Sequence, residues 1–344
     1  MKNVETLGIM VTNARQRKVT LKNYMKNHHF SKLRMFSFSP TDIDWEHRRI
    51  RGLHLRNMKW ETGSFSFPKV IYNRCYNSEM ETIDRLEQII GRNKCFNQIN
   101  QFDKLEIHQA INRWLSPHVP DTLPYSNDNL EQMIHLHKLV FLKPCHGHMG
   151  KGVYRIEQRD TGELHISNHY VMPSIIVGSI SQLLTESERF VGQVPHLIQK
   201  GIFTNNLNNR TFDIRVLVQK NKNGLWSTTN VISRVSYAGC FNTSIYERAC
   251  LTMDVLKKLY PAKSVRDMMN TIYNLSLRTA EILELDSGIH LCEVSVDLVI
   301  DLEGHIWIIE VNGMPQKSLY DELPISRRAI YSRPLEYGYY LSKR

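Results

Sequence analysis

The sequence predicts an α/β (α+β) fold, because strands and helices alternate early in the chain and strands dominate its second half. Over about the first 100 residues, three short apolar strands precede a helix with apolar spacing, at 5–11, 33–38, 69–74 and 79–91. The second half contains five segments rich in β-branched residues, at 196–200, 212–219, 229–236, 292–300 and 305–311. One long predicted helix, at about 263–284, interrupts these strands.

Turn and cap signals predict the remaining elements. Segments 50–57 and 60–67 form a predicted hairpin, and Asp103 begins a predicted helix to about Leu115, because its carboxylate complements the helix dipole. A strand at 139–143 leads into a loop with several glycines. A hairpin and a helix are expected after this loop, at 153–158, 163–170 and 176–188. The basic, tyrosine-rich residues from Arg327 onward carry no assignable pattern.

Length and composition indicate a globular protein of two or three domains. The 344 residues are 42% hydrophobic and 23% charged, values close to those of globular proteins. No apolar run approaches the roughly 20 residues that span a bilayer, and no secretory signal is recognisable, so we expect a cytoplasmic protein. The six cysteines have no zinc-site spacing and are expected to be reduced thiols.

The net charge of +10 is concentrated near the N-terminus. Residues 1–60 hold 13 Lys and Arg against 4 Asp and Glu, a net charge of +9. Such a basic face can attract an acidic partner, and the alternative is a solvated face with no partner. No nucleic-acid-binding motif with interleaved aromatic residues is present, so a nucleic acid is not expected as the partner.

The strongest functional signal lies in a predicted hairpin at 293–315. Its two strands, Glu293-Val-Ser-Val-Asp297 and Trp307-Ile-Ile-Glu310-Val-Asn312, flank the turn Asp301-Leu-Glu-Gly304. Alternate residues of a strand share a face, so Glu310 and Asn312 should point one way, and Ile309 and Val311 the other. Asp297 should pair across from about residue 308–310.

This hairpin would bring two carboxylates and one amide oxygen to one face. Hard oxygen donors suit Mg²⁺, which keeps several waters and shares its other positions with substrate phosphates. The alternative is a half-exposed hairpin with ordinary polar residues outward. That alternative suits Asp301, Glu303 and His305, but it suits Glu310 and Asn312 poorly, because they interrupt an apolar strand and would need partners if buried.

A second signal is the glycine loop at 143–153, where Lys143 precedes Gly147, Gly150 and Gly152. Glycines allow backbone N–H groups to approach an anion, and a lysine supplies a point charge for phosphates. The loop is neither a P-loop nor a Rossmann turn, and glycine-rich turns also occur without any ligand.

Taken together, these residues resemble the ATP-grasp superfamily. The matching segments, in chain order, are Asp103-Lys104, Leu142-Lys143-Pro144, Gly152-Val153, Leu197-Ile-Gln-Lys-Gly201, Phe212-Asp-Ile-Arg-Val-Leu-Val218, Arg234, Asp297 and Glu310-Val-Asn312 with Pro315. Within that superfamily the chain is most similar to the YheC/YheD type, described as endospore-coat-associated in bacilli. The cues for this type are Val70-Ile-Tyr-Asn-Arg74, Val119-Pro-Asp-Thr122 and Ile198-Gln-Lys-Gly-Ile202.

The resemblance implies an ATP-grasp fold, in which two α+β subdomains clamp ATP. The expected organisation is a small basic α/β domain at 1–100, the ATP-grasp domain at 101–325 and a basic tail at 326–344. Spore-coat association is a further implication of the YheC/YheD likeness.

The resemblance also assigns residues to the ligands ATP and Mg²⁺. Lys104, Lys143 and the glycine loop would contact the phosphates, and Gln199, Lys200 and Ile202 would lie along the adenine. Asp297, Glu310 and Asn312 would hold Mg²⁺. The catalytic residues would be Arg215 and Arg234, which would neutralise the γ-phosphate and a substrate carboxylate. Asp213 is a candidate ribose contact, and its alternative role is to orient Arg215.

Most relatives implied by this resemblance make an acyl phosphate that an amine captures, so a carboxylate and an amine are the expected substrates. The alternatives are phosphoryl transfer to a hydroxyl, as in ATP-grasp kinases, and a non-catalytic, ATP-binding structural protein. The chain departs from the family pattern at 242–250. Asn242 is not followed there by the usual pair of glycines.

Overall fold

A computed structural model describes residues 5–26, 33–77, 79–321, 323–325 and 327–344. Parts of the predicted basic N-terminal stretch, 1–4 and 27–32, and the first residue of the predicted tail, Ser326, lie outside the described residues. The N-terminal elements are β1 (Glu5–Val11), α1 (Ala14–Lys26), β2 (Leu33–Phe38), β3 (Ile43–Asp44), β4 (Arg49–Arg56), β5 (Lys59–Ser66), β6 (Val70–Arg74), α2 (Met80–Ile90) and β7 (Cys95–Phe96).

These N-terminal strands form one mixed sheet in the order β3-β4-β2-β1-β6-β7, with β5 paired to β4. The central pairs β1–β2, β1–β6 and β6–β7 are parallel. Helix α2 covers one face through Ile83 and Leu86, and α1 covers the other through Leu21 and Tyr24. Parallel strands bury side chains on both faces, so their sequences are continuous apolar runs rather than alternating apolar and polar residues.

The middle of the chain forms a six-stranded antiparallel sheet, β12-β11-β10-β9-β13-β8. Helices α4 and α5 pack on one face of this sheet and leave the other face free to line a cavity. Its elements are α3 (Lys104–Leu115), β8 (Thr122–Pro124), α4 (Asn127–His137), β9 (Leu139–Pro144), β10 (Tyr154–Gln158), β11 (Leu164–Asn168), β12 (Ile175–Val177), α5 (Ile180–Val191) and β13 (His196–Lys200). Helix α3 itself packs against the next sheet.

The last part forms a five-stranded antiparallel sheet in the order β16-β15-β14-β17-β18. Its largest apolar cluster joins these strands to α3, α6 and α7. The elements are β14 (Phe212–Lys220), β15 (Trp226–Ser236), β16 (Tyr246–Leu251), α6 (Thr252–Leu259), α7 (Ala262–Ser287), β17 (Glu293–Ile300), β18 (Ile306–Asn312) and α8 (Arg327–Ser342).

Differences from the predicted secondary structure include the segment at 176–188 and the tail from Arg327. The helix predicted at 176–188 begins later, because Ile175–Val177 is an edge strand and the Ser179 hydroxyl caps the helix by accepting a hydrogen bond from the Gln182 N–H. The tail after Arg327, which had no assignment, is a helix that packs against β1 and β6. The division of the chain into domains at residues 100 and 325 stays a prediction. Within the described ranges, no helix has both the length and the apolar character needed to cross a bilayer.

Candidate functional site

A cavity of about 340 Å³ lies between the six-stranded and five-stranded sheets. Eleven of the residues predicted from the sequence line it: Lys104, Lys143, Gly147, Gly150, Gln199, Lys200, Ile202, Asp213, Arg234, Asp297 and Glu310. The other three, Gly152, Arg215 and Asn312, adjoin lining residues in the same loop or strands. The fold therefore brings together segments that are far apart in the chain, from Lys104 to Glu310.

The glycine loop forms one wall of this cavity. Gly150 and Gly152 have φ angles of 65° and 71°, in the left-handed region that favours glycine. A Cβ on Gly150 would lie 1.9 Å from Asn242 Nδ2, and one on Gly152 would lie 3.0 Å from Pro144 Cγ. These two glycines thus allow the loop to turn tightly and to approach the opposite subdomain.

Two lysines face the cavity beside this loop. Lys104 donates to the Gly147 carbonyl at 3.0 Å, and its ammonium lies 3.4 Å from Glu310. Lys143 donates to Gln199 Oε1 at 2.6 Å. Burial lowers the pKa of Lys143 to about 8, although the Glu310 carboxylate opposes this shift. An anion that entered the cavity would stabilise the charged form of Lys143.

On the opposite side, the five-stranded sheet carries a network of two arginines and two aspartates, of which Asp213, Arg234 and Asp297 line the cavity. Arg215 binds Asp297 with both Nε (2.7 Å) and Nη2 (2.6 Å). Arg234 binds Asp213 in the same bidentate way and also donates to Asp297 Oδ2 at 3.1 Å. Burial alone would raise the pKa of Asp297, but the two guanidinium groups more than offset it and hold this pKa below its ordinary value.

Asp213 is bound on both oxygens, by Arg234 and by the Thr243 hydroxyl at 2.6 Å. The Asp213 carboxylate therefore orients Arg234. The alternative role expected from the sequence was to orient Arg215. Asn206 also lines the cavity, four residues after Ile202, and sequence reasoning missed it. The ribose contact assigned to Asp213 stays a prediction.

The strand pair β17–β18 places Asp297 directly opposite Glu310, within the predicted range. The register shifts after this pair, because Leu298 lies opposite Ile308 and Ile309 is the extra residue of a β-bulge. The expectation that Ile309 points away from Glu310 is wrong for this reason, since Ile309 lines the cavity. Val311 points into the core as expected.

The donor set fits a magnesium ion that shares its coordination with phosphates and water. Each carboxylate has about four lone-pair sites, so Asp297 and Glu310 can accept their cationic partners and still bind a metal. Asn312 follows on the face of Glu310, and neither its buried Nδ2 nor the Oγ of the opposing Ser295 has a partner among the described residues. The part of the chain that the structure describes includes no group of three or more His, Cys, Asp or Glu side chains that could hold a metal. Two carboxylates and an amide suit Mg²⁺ better than a transition metal.

Another part of the cavity has an apolar lining. Phe141, Ile202 and Phe203 line it from the six-stranded sheet and its exit loop, and Val299 and Ile309 line it from the five-stranded sheet. An apolar lining of this kind favours a ligand with an apolar surface, such as a planar heterocycle. Nearby, Gln199 is held by Lys143 and by the Thr122 hydroxyl at 3.2 Å, and the Lys200 ammonium lies 5.2 Å from the Trp307 ring centroid.

Loops from the two subdomains meet across the cavity. Asn242 donates to the Gly150 carbonyl at 3.4 Å and contacts His169 Nδ1 at 3.0 Å. The backbone adds two bonds, from Phe241 N to His169 O (3.0 Å) and from Val171 N to Gly239 O (2.8 Å). Asn242 therefore joins the loops of the two subdomains across the cavity, although it is not followed by the pair of glycines that is usual in the family.

Sequence reasoning also missed Arg155, a buried residue of β10 that lines the cavity and pairs with Glu157 at 2.8 Å.

A model of the YheC/D-like ATP-grasp family matches residues 92–341, which is well over half of the chain. The chain belongs to this family. The glycine loop and the Asp297–Glu310 hairpin described above are thus parts of an ATP-grasp domain.

Two curated relatives match most of this ATP-grasp protein. The endospore coat-associated protein YheD of Bacillus subtilis is 26% identical over 330 residues, covering 90% of this chain and 71% of YheD. YheC of the same organism is 23% identical and covers 90% of this chain and 88% of YheC. Both matches extend beyond the family model at its N-terminal end, because they cover a larger share of the chain.

Solved structures share the same fold at low sequence identity. D-alanyl-alanine synthetase A from Vibrio cholerae aligns with a TM-score of 0.57 and 13% identity, over 99% of this chain and 97% of that one. The N5-carboxyaminoimidazole ribonucleotide synthetase PurK, solved with ADP, aligns with a TM-score of 0.58 and 12% identity, over 96% and 77% of the two chains. These alignments establish the ATP-grasp fold across nearly the whole chain.

Proposed function

We propose that this protein is an ATP-dependent carboxylate–amine ligase that uses Mg²⁺ and an acyl-phosphate intermediate. The observation that carries this proposal is the cavity between the two sheets. One wall presents Lys104, Lys143 and the glycine loop, and the other presents Asp297 and Glu310. Cations and carboxylates on facing walls suit a metal-bound polyphosphate, because the lysines neutralise phosphate oxygens and the carboxylates hold the cation.

The proposed nucleotide orientation follows from the polarity of the cavity. The adenine would occupy the apolar end beside Ile202, near Gln199 and Lys200 at the end of β13. The phosphates would lie under Gly147, Gly150 and Gly152, near both lysines. Asp297, Glu310 and Asn312 would hold Mg²⁺, which supplies charge neutralisation of the phosphates when it is bound.

The proposed reaction has two balanced group transfers. A substrate carboxylate oxygen attacks the γ-phosphorus, the bond to the β-phosphate oxygen breaks, and ADP leaves. An amine then attacks the acyl carbon, phosphate leaves with the former carboxylate oxygen, and the nitrogen releases a proton. Arg215 and Arg234 would stabilise the developing negative charge. Their pairing with Asp297 and Asp213 fixes the direction of both guanidinium planes before any ligand enters.

The relatives support this proposal at the level of reaction class. The fold neighbours are described as ligases and synthetases, among them a VanG D-Ala:D-Ser ligase and the ligase PsnB with a minimal precursor, Mg and ADP. The names of YheD and YheC support a further proposal, that the protein associates with a spore coat.

The experiment that tests the proposed function is ADP release from purified protein with Mg-ATP, screened with pooled amino acids and peptidoglycan fragments. We expect one pool to stimulate release and to yield an amide product. A phosphorylated hydroxyl product would instead support an ATP-grasp kinase. ATP binding with no turnover in any pool would favour a structural protein that retains a nucleotide site.

We expect ATP binding near pH 8 to be accompanied by proton uptake at Lys143. The pKa of this lysine is lowered to about 8, mainly by burial, so its amine is partly neutral there, and the phosphates should restore its charge. Affinity should therefore fall as the pH rises above about 8, and uptake should vanish well below it. Calorimetry in buffers of different ionisation enthalpy measures this uptake.

The matched variants for this prediction are Lys143→Met and Lys263→Met. Lys143→Met should lose the proton uptake and bind ATP several-fold more weakly, because it removes a positive charge beside the phosphates. Lys263, an exposed residue of α7, should behave like wild type when replaced. Unchanged proton uptake in Lys143→Met would exclude this lysine as a phosphate ligand.

A further inference from the structure

A buried lysine lies just beyond the hairpin that carries the metal-ligand candidates. Lys317 is 5% exposed, and its ammonium lies 2.8 Å from Glu293 Oε2. It also donates to Tyr24 at 2.8 Å and to Tyr72 at 3.3 Å. The centroids of the Tyr24, Tyr72 and Tyr331 rings lie 4.9, 5.6 and 5.6 Å away, so three aromatic rings surround the charge.

The ion pair joins the two strands of the hairpin at its open end. Glu293 begins β17, on the same face as Asp297 four residues later, and Lys317 follows five residues after Asn312 at the end of β18. The paired register of the two strands ends at Ser295 and Asn312. The contact between Lys317 and Glu293 therefore closes the hairpin beyond its last backbone pairing, opposite the turn at Asp301–Gly304.

A buried asparagine that directly follows β7 of the N-terminal sheet reinforces the same end of the hairpin. Asn97 Nδ2 donates to the carbonyls of Glu293 (3.2 Å) and Gly313 (3.1 Å). Its Oδ1 accepts from the backbone N–H groups of Cys292 (2.8 Å) and Glu293 (3.2 Å). The Asn97 side chain thus binds the backbone beside both strands. Gly313 is also closely packed, because a Cβ at this position would come within 2.9 Å of the Asn100 carbonyl.

We propose that Lys317 is a positioning residue for the metal site, because its ion pair with Glu293 holds the two strands at the separation that Asp297, Glu310 and Asn312 need to bind one cation. This inference rests on the proposed function, since it takes these three residues as metal ligands. Magnesium requires near-octahedral geometry at about 2.0–2.1 Å, so small movements of a strand weaken its binding. A buried ion pair is a weak source of net stability, whereas it fixes the distance between the two elements that it joins.

The test measures binding of Mn²⁺ to the protein–ATP complex, with Mn²⁺ as a paramagnetic probe followed by electron paramagnetic resonance. Lys317→Met should weaken Mn²⁺ binding about 10- to 100-fold, the range typical of residues that support metal ligands. ATP affinity without a metal should stay within about twofold, because Lys317 does not line the nucleotide cavity.

Lys317→Met alone leaves the Glu293 carboxylate without one of its two cationic partners, so it can also destabilise the fold. The double variant Glu293→Gln with Lys317→Met removes both charges at similar volume. It also leaves Arg74 without its carboxylate, so it should unfold at no higher temperature than the single variant, and where it is folded it should bind Mn²⁺ at least about tenfold more weakly than wild type.

The chain offers a matched control in Lys220. This lysine is 6% exposed, pairs with Glu284 at 2.5 Å, and lies 5.2 and 5.1 Å from the Trp226 and Tyr337 ring centroids. Its side chain points to the face of the five-stranded sheet opposite the metal ligands, because neighbouring strand residues alternate. Lys220→Met should lower the unfolding temperature and leave Mn²⁺ affinity unchanged.

Wild-type Mn²⁺ affinity in the folded double variant would overturn the proposal and leave the proposed function intact. An equal loss of affinity in Lys220→Met would also overturn it, because general destabilisation would then explain the effect. Wild-type protein that holds no Mn²⁺ in the presence of ATP would contradict the metal assignment itself and the positioning role with it.

Discussion

Glu310→Ala is expected to lower ATP turnover about 100- to 1,000-fold while leaving the protein folded. This carboxylate faces Asp297 across the β17–β18 pair and lines the cavity, so its loss removes one of the two carboxylates that we propose as metal ligands. Stability should change by no more than about 1 kcal/mol, because the side chain is 30% exposed and its ion pair with Lys104 is 3.4 Å long. ADP release and thermal unfolding measure the two quantities on the same sample.

Glu303→Ala is the matched control for this experiment. Glu303 is an exposed carboxylate in the turn of the same hairpin, so its removal tests the effect of losing a negative charge there. The control should retain full turnover. Turnover by Glu310→Ala at the rate of this control would contradict the metal assignment.

Asp297→Ala is expected to have a different outcome, because it should lose stability as well as activity. Asp297 is 1% exposed and accepts hydrogen bonds from both Arg215 and Arg234. Its removal would leave two buried guanidinium groups with one carboxylate between them, at Asp213. Removing one partner of a buried ion pair reduces the free energy of unfolding by about 3–5 kcal/mol. Urea unfolding monitored by circular dichroism measures this loss.

Asp267→Ala serves as the comparison for stability. Asp267 is an exposed residue of α7, and its replacement should change the free energy of unfolding by less than about 0.5 kcal/mol. If Asp297→Ala were as stable as this control, the buried charge network would not have the role assigned to it. The pair Glu310→Ala and Asp297→Ala thus separates the proposed metal binding from the structural support of the arginines.

The parts of the site that depend on local pattern were predictable from the sequence. Alternation along a strand placed Glu310 and Asn312 on one face, and the length of the turn placed Asp297 opposite residue 308–310. The β-bulge at Ile309 was not predictable, because one extra residue in a strand leaves no mark in composition or periodicity. Its consequence is that an isoleucine expected in the core lines the cavity instead.

Contacts between distant segments could not be predicted. The pairing of Arg215 with Asp297 depends on the register of β14 with β17, two strands that are far apart in the chain. The pairing of Arg234 with Asp213 depends on the register of β14 with β15, the next strand along the chain. The C-terminal helix escaped detection because it contains Pro334 and is buried on several sides, so it lacks a simple apolar stripe. The role of Lys317 likewise required the tertiary structure, since its partners come from α1, β6, β17 and α8.

The most direct test of the proposed ligation is oxygen transfer from the carboxylate substrate to phosphate. Once a stimulating pool is found, its carboxylates are labelled with oxygen-18 and the released phosphate is analysed by mass spectrometry. An acyl-phosphate intermediate predicts one labelled oxygen in each phosphate released, because the amine displaces phosphate together with the former carboxylate oxygen. Release of unlabelled phosphate during amide formation would contradict this mechanism.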